Sequence, residues 1–335
     1  MEDVLRFNLF GSSPPFVHVI AQIRRVAKFD VTVLVGGETG TGKELAARAV
    51  HYLSQRATQP FIPVNCGALA ETLIESELFG HERGAFTDAK TASHGLIHEA
   101  DGGTLFLDEV DTLSPKAQAA LLRFLQDRTY RRVGGTQTRQ SNVRLLAASN
   151  ADLEALVEAR QFRRDLLYRL KVLSLTMPPL RERGDDVIEL ALVFLARLNA
   201  SYRGYTPSKR FSTAMLNSLK HHDWPGNVRE LEHFIQREYL MCEGGEVDVP
   251  MRRCTRPDGT PPQADAERLN AAFKQAKAGV IADFERNYVT SAMHRAQGNI
   301  SRAARMAGQD RSAFSKLVRK YRIVPIEEPE QDSID

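Results

Sequence analysis

From residue 31 the chain reads VTVLVGGETGTGKE, an apolar run of strand length leading into Gly37-Glu38-Thr39-Gly40-Thr41-Gly42-Lys43-Glu44. This G-x4-G-K spacing suits a phosphate-binding loop. Glycines let backbone N–H groups face phosphate oxygens, the start of a helix adds its positive end, and Lys43 neutralises the β and γ charges. A Gly-rich turn that merely joins strand to helix is the plainer alternative. Glu44 stands where a Ser or Thr usually ligates Mg²⁺, so a metal here would lean on phosphates, water and a distant acid.

Downstream, Gly102-Gly103-Thr104-Leu105-Phe106-Leu107-Asp108-Glu109 is a short apolar strand ending in an acidic pair. Asp108 is suited to hold Mg²⁺, directly or through water, and Glu109 to polarise an attacking water. Such a pair is also a common solvated strand end; its place after a phosphate loop favours the chemical reading. Asn150 closes the strand VRLLAASN, with the position and chemistry to orient that water, although an Asn there is also an ordinary turn residue.

The ordered set GETGTGKE, ELFGHERGAFTDA, GGTLFLDE, RRVGG, FRRDLLYRL, PPLRER and WPGNVREL strongly resembles the AAA+ core of bacterial enhancer-binding proteins, the ATPases that activate sigma-54 RNA polymerase. The resemblance runs over roughly residues 9 to 240. It implies ATP and Mg²⁺ as cofactors, and it makes Glu44 usual. Asn65, in PVNCGAL, matches the residue that holds the glutamate here numbered Glu109 and switches its orientation with nucleotide state. Arg163 and Arg169 match arginine fingers reaching the γ-phosphate of a neighbouring subunit, where a guanidinium stabilises charge on the phosphoryl oxygens. Spacing alone reads both as solvated helix arginines. Arg229 matches the sensor II arginine of the helical lid, while Trp224 and Pro225 are read as fixing the turn before it. Fingers supplied in trans imply a ring, in this family a hexamer.

The stretch Gly84-Ala85-Phe86-Thr87-Asp88-Ala89 matches the family's GAFTGA loop, whose exposed Phe and Thr engage sigma-54 RNA polymerase. Asp88 replaces the second Gly. It adds a Cβ and a negative charge, restricting the φ > 0 conformations that Gly takes freely. The change could weaken, retune or redirect the polymerase contact. A buried Phe86 closing a minor core is the alternative for that residue.

A second chemistry sits near the C-terminus. Gly298-Asn299 opens a short helix, 300–306, and residues 307–310 turn into a second, 311–321, with Ala303, Ala304, Phe314, Leu317 and Val318 facing inward. Arg311, Ser312, Ser315, Lys316, Arg319 and Lys320 are left outward, with Arg302 on the first helix. A basic helical hairpin can be merely a solvated face. This one closely resembles the Fis-type helix-turn-helix of the same activators, which implies binding to double-stranded DNA, as a dimer on a partly palindromic site.

Charge agrees with that division. The chain has 335 residues, 42% hydrophobic, with 45 Lys+Arg against 42 Asp+Glu, and the total of +3 suggests neither a histone-like coat nor an acidic disordered chain. The balance is uneven. His294 to Arg322 carries eight basic residues and one acid; Ile323 to Asp335 carries five acids and no base. Three cysteines without a CxxC pair indicate a reducing compartment and no thiol chemistry. No apolar run approaches the roughly 18–20 residues of a membrane span, and no secretory signal is evident. The expected location is the bacterial cytoplasm, associated with the nucleoid and not with membrane.

Elements to position these groups follow from the apolar pattern. Val31–Val35, Phe61–Val64, Thr104–Leu107 and Val143–Ala147 are of strand length, and Glu44–Leu53 and Pro115–Leu125 of helix length, an alternation typical of α/β architecture. From about Asp185 the pattern is helical only. Leu269, Phe273, Ala276, Val280, Phe284 and Tyr288 describe an amphipathic helix. The expected fold is therefore an α/β AAA+ P-loop NTPase with a parallel-sheet core (9–183) and helical lid (184–241). A Pro- and Gly-rich linker (242–266) leads to an all-α helix-turn-helix domain (267–324) and an acidic disordered tail (325–335). The core signature begins near Phe10, leaving no room for a sensor or receiver domain; control is expected through expression level or from a regulatory protein acting in trans. A second reading of the whole is a DNA-binding regulator whose ATPase only governs self-assembly, its polymerase contact impaired or redirected by Asp88.

Overall fold

The computed structural model describes residues 7–69, 71–86, 89–248 and 299–321, together with 285, 288, 289, 292, 293 and 296. It divides into two compact units, 1–253 and 254–335.

The first unit is built on five strands: β1 (Val33–Gly36), β2 (Phe61–Asn65), β3 (Thr104–Asp108), β6 (Arg144–Ser149) and β7 (Leu173–Thr176). They pair in the order β2-β3-β6-β1-β7, every pair parallel. Parallel sheets are covered on both faces, which explains the unbroken apolar runs. Alternate residues enter opposite cores: Leu34, Leu105 and Leu107 on one face, Val33, Val35 and Phe106 on the other. The first core is closed by α5 (Pro115–Asp127) and α7 (Arg164–Leu170), the second by α1 (Pro14–Ala27) and α2 (Lys43–Tyr52). The buried Arg144 donates to Val26 O at 3.0 Å, tying the last turn of α1 to the sheet.

Register decides what meets at the sheet's C-terminal edge. Asn65 pairs with Asp108, and Gly36 with Ser149, so the turns after β1, β2, β3 and β6 open side by side. Ligands of open parallel sheets bind at such an edge, where the strand order reverses.

The lid comprises α8 (Asp186–Ser201), α9 (Thr213–Lys220) and α10 (Asn227–Met241) around Leu190, Phe194, Met215, Trp224, Leu231 and Ile235. Its pattern is not wholly helical. β8 (Arg210–Phe211) and β9 (Glu246–Val247) form a short parallel ladder, and Val247 is fully buried in the lid core. The start of the expected linker is therefore part of the lid, because one buried valine anchors it among Pro-, Gly- and charge-rich neighbours. β7 and a hairpin of β4 (Thr129–Arg131) and β5 (Thr138–Gln140) were also not anticipated; strands of three or four residues carry too little alternation to register.

In the second unit, α11 (Ile300–Met306) and α12 (Arg311–Lys320) are joined by residues 307–310, with Gly308 at φ +63°. Asn299 caps α11, accepting from Arg302 N–H at 3.0 Å. Ala303, Ala304, Phe314 and Val318 are buried with Leu317 against them, as the periodicity predicts. The amphipathic helix expected over 269–288 lies outside the described residues save for 285 and 288, and so do the rest of the linker and the acidic tail. No described helix is long and apolar enough to cross a membrane.

Candidate active site

The loop between β1 and α2 is shaped by close approaches that only glycine permits. Gly40 has φ +78°, and a Cβ there would lie 2.2 Å from Gly226 O; Gly37 has φ +139°, with its Cβ position 2.9 Å from Met177 O. Thr41 Oγ1 donates to Glu38 O at 2.8 Å, and Asn150 Nδ2 donates to Thr39 Oγ1 at 3.0 Å. Lys43, buried at the first position of α2, turns its ammonium under the loop and donates to Gly37 O at 2.8 Å and Glu38 O at 3.2 Å. Burial lowers the Lys43 pKa, while Asp108, Asp111 and Glu109 pull it back up. Glu44 is half-exposed and pairs with Arg48 one turn on, at 2.8 Å.

A cleft of about 300 Å³ opens over this loop. Thr39 to Glu44, Asn65, Asp108, Glu109 and Asn150 form its polar side; Leu9, Phe10, Leu190 and Val228 give it an apolar side, and Arg229 reaches it from the lid. Phosphates would face the first wall and a base the second.

Asp108 and Glu109 occupy the end of β3. Glu109 is left-handed at φ +55°, a costly conformation for a residue with a side chain, and its N–H donates to Asp108 Oδ1 at 3.0 Å. Its carboxylate lies against Gly67, where a Cβ would come within 2.2 Å of Oε2. Asn65 forms no hydrogen bond to Glu109. Its side-chain carbonyl instead accepts from Ala68 N–H at 3.0 Å, holding the 3-10 turn Cys66–Ala68 that presents Gly67. Within that turn Cys66 is 2% exposed, and burial, with the nearby carboxylates, pushes its thiol up to about 12.

Among the described residues no group of three His, Cys, Asp or Glu side chains is placed to hold a metal. With Glu44 in place of the loop's usual hydroxyl residue, Mg²⁺ bound here would take Asp108 and the nucleotide phosphates as its ligands, directly or through water.

Several supporting residues are not singled out by the sequence, although some lie within its motifs. Asn227, fully buried and left-handed at φ +53°, accepts from Leu180 N–H at 2.8 Å and donates to Thr39 O at 3.0 Å and Glu38 Oε2 at 3.1 Å. Beside it, Val228 N–H donates to Gly40 O at 3.0 Å. Arg181 pairs with Glu38 through two hydrogen bonds, of 2.8 and 2.6 Å, and holds that carboxyl below its usual pKa. Asp186, 1% exposed, accepts from Ser12 N–H and Ser13 N–H at 2.8 Å, Ser13 Oγ at 2.7 Å and Arg183 Nε at 2.9 Å. It thereby anchors the segment that carries Leu9 and Phe10. Burial raises the Asp186 pKa, but these hydrogen bonds outweigh it and hold the carboxyl below its usual range. For Asn227 alone a local clue exists in WPGN, since Asn tolerates the positive φ of a helix-opening turn. Trp224, also at positive φ, is buried and donates Nε1–H to Leu219 O at 2.9 Å, so it does fix that turn.

Arg163 and Arg169 line no part of this cleft. Both are exposed on α7 or its cap, and Arg163 pairs with Asp165 at 2.7 Å. In the loop 84–89, Gly84 N–H donates to Ala89 O at 2.9 Å and closes the base. Ala85 is half-buried and Ala89 buried. Phe86 is half-buried rather than exposed, its ring centroid 5.0 Å from that of His81; Thr87 and Asp88 lie outside the described residues. In the second unit Arg302, Arg311, Ser312, Lys316, Arg319 and Lys320 are exposed, but Ser315 is half-buried, and Lys320 is paired with Glu285 at 2.8 Å.

Comparison with known proteins agrees with this geometry. The sigma-54 interaction domain family matches residues 9–176, and the AAA+ ATPase lid domain family matches residues 181–251. The Nif-specific regulatory protein of Azotobacter vinelandii is 48% identical over 281 residues, 79% of this chain and 53% of that protein. The transcriptional regulatory protein ZraR of Salmonella typhimurium is 42% identical over 318 residues, 94% of this chain and 69% of that protein. The crystal structure of NtrX from Brucella abortus in complex with ATP superposes with a TM-score of 0.64 at 32% identity, covering 93% of this chain and 69% of that one. A phosphate loop, an acidic strand end and a lid lining one cleft, in a chain so matched, place it in the family of sigma-54-dependent transcriptional activators, with an AAA+ ATPase as its core.

Proposed function

We propose that this protein binds DNA upstream of its promoters through α11 and α12 and, as a hexameric ring, uses ATP hydrolysis to convert closed complexes of sigma-54 RNA polymerase into open ones. The observation that carries the ring is the separation of Arg163 and Arg169 from the cleft of their own chain. Phosphoryl transfer needs cationic groups at the γ-phosphate, and arginines facing outward serve a neighbour's site.

Within one site, the backbone N–H groups of 37–43 and the Lys43 ammonium bind the phosphates, for which Lys43 exchanges its carbonyl partners. Mg²⁺, held by phosphates and Asp108, would neutralise developing charge. Glu109 accepts a proton from the attacking water, Asn150 orients that water, and Arg229 senses the nucleotide from the lid. Asn65 governs the turn against which Glu109 rests, a route by which nucleotide state could redirect the carboxylate. The loop 84–89 carries the resulting movement to the polymerase. Arg311 and Ser312, at the start of α12, suit base edges; Lys316 and Arg319, with Arg302 on α11, suit phosphates.

The test is open-complex formation with purified sigma-54 holoenzyme on a cognate promoter. Active ATPase and DNA binding without opening would overturn the proposal. Asp88 motivates the second reading, in which the ATPase governs assembly alone. A large gain in opening for Asp88→Gly would show an impaired native loop, and an unchanged or lower yield would show that Asp88 is compatible with polymerase contact.

A further inference from the structure

The polar contacts of Asn227 form a closed cycle. Its carbonyl oxygen takes the Leu180 N–H at the connection leaving β7, and its amide nitrogen serves Glu38 and Thr39 in the phosphate loop. Glu38 in turn grips Arg181, the residue after Leu180. Three segments far apart in sequence, namely the loop, the connection into the lid and the start of α10, thus share one fully buried side chain. An amide alone fits this position: one end must accept from a backbone N–H while the other donates to a carboxylate and a carbonyl.

We propose that Asn227 is a positioning residue for ATP binding, which sets the phosphate loop against the lid by reading the ionised Glu38 carboxylate and the Leu180 amide together. It touches neither the reacting atoms nor the attacking water, so its removal acts on nucleotide affinity more than on the chemical step. This inference rests on the ATPase activity of the core and is independent of DNA or polymerase contact.

The experiment is steady-state ATPase kinetics on the full chain across pH 6 to 8. Asn227→Asp keeps the acceptor for Leu180 but turns a carboxylate towards Glu38. The ATP KM is expected to rise about tenfold at pH 8 with kcat changed far less, as when binding common to ground and transition states is lost. Two facing carboxylates take up a proton more readily than one, so the KM defect should shrink as pH falls to 6. In a Glu38→Gln background the repulsion is absent, and Asn227→Asp should cost much less there. Should Asn227→Asp fail to fold, Asn227→Gly keeps the left-handed backbone without strain. Its KM effect should then combine non-additively with Glu38→Gln, since both remove one contact. A parental KM, or a defect that ignores pH and adds independently to Glu38→Gln, overturns the proposal; loss of ATPase in the parental protein would instead remove the activity on which it rests.

Discussion

At the scale of single residues, the chemistry was legible where it is local. The loop from Gly37 to Glu44 and the pair Asp108-Glu109 each announce themselves within eight residues, because phosphate binding and water activation need fixed types at fixed steps. Asn227 and Asp186 do not, since their partners Glu38 and Ser12 lie 189 and 174 positions away and any buried amide or carboxylate would read the same. Asn65 was assigned by resemblance, and its hydrogen bond to Ala68 gives that assignment a different local meaning from a direct grip on Glu109. Replacing Glu109 by Ala should leave nucleotide binding within about twofold while turnover falls at least about 100-fold, the usual loss for a general base. Lys43→Ala should abolish binding itself. Fluorescent-nucleotide titration and phosphate release separate the two, and parental turnover in Glu109→Ala would reject the assignment of the base.

Among elements, strands buried on both faces and helices with clear apolar faces were readable, whereas β7, the β4-β5 hairpin and the β8-β9 ladder were too short to declare themselves. The seam between lid and α/β core was the least visible, because it is held by polar groups from 10–13, 183 and 186. Losing the Asp186 carboxylate would leave the buried Arg183 uncompensated, at a cost of about 3–5 kcal/mol. The pH dependence follows from the depressed pKa. Its contribution is fully present above the unfolded value near 3.9 and is lost as pH falls below about 4 towards the lower folded value. Thermal melts should therefore show Asp186→Asn destabilised at pH 7, with a smaller additional loss than the parent between about pH 4 and 2.

For the whole molecule, near-neutral net charge conceals the basic segment from His294 to Arg322, and its exposed arginines on α12 make two measurable claims. Arg311→Ala should change which sequences bind, by about 1–3 kcal/mol at one base step, whereas Arg319→Ala should weaken all sites alike and flatten the salt dependence by about one unit. Lys320, already occupied by Glu285, should matter less than Arg319. Binding curves on a panel of sites at two salt concentrations check both. The proposed completion of each site by a neighbour makes a further claim. Chains with Glu109→Ala and chains with Arg163→Ala should each be inactive alone, yet mixtures should recover part of the ATPase, because some interfaces then combine an intact base with an intact finger. Mixtures as inactive as their components would argue that the arginine acts within its own chain.

Cys66 makes the catalytic edge self-reporting. Its thiol lies one residue beyond Asn65, sealed from solvent and held protonated, so an alkylating reagent meets neither access nor thiolate while the turn is closed. Any labelling at that sulfur must wait for the strand end to open, and its rate becomes a clock for that opening. Run with and without nucleotide, the clock would time how often the turn behind Glu109 lets go.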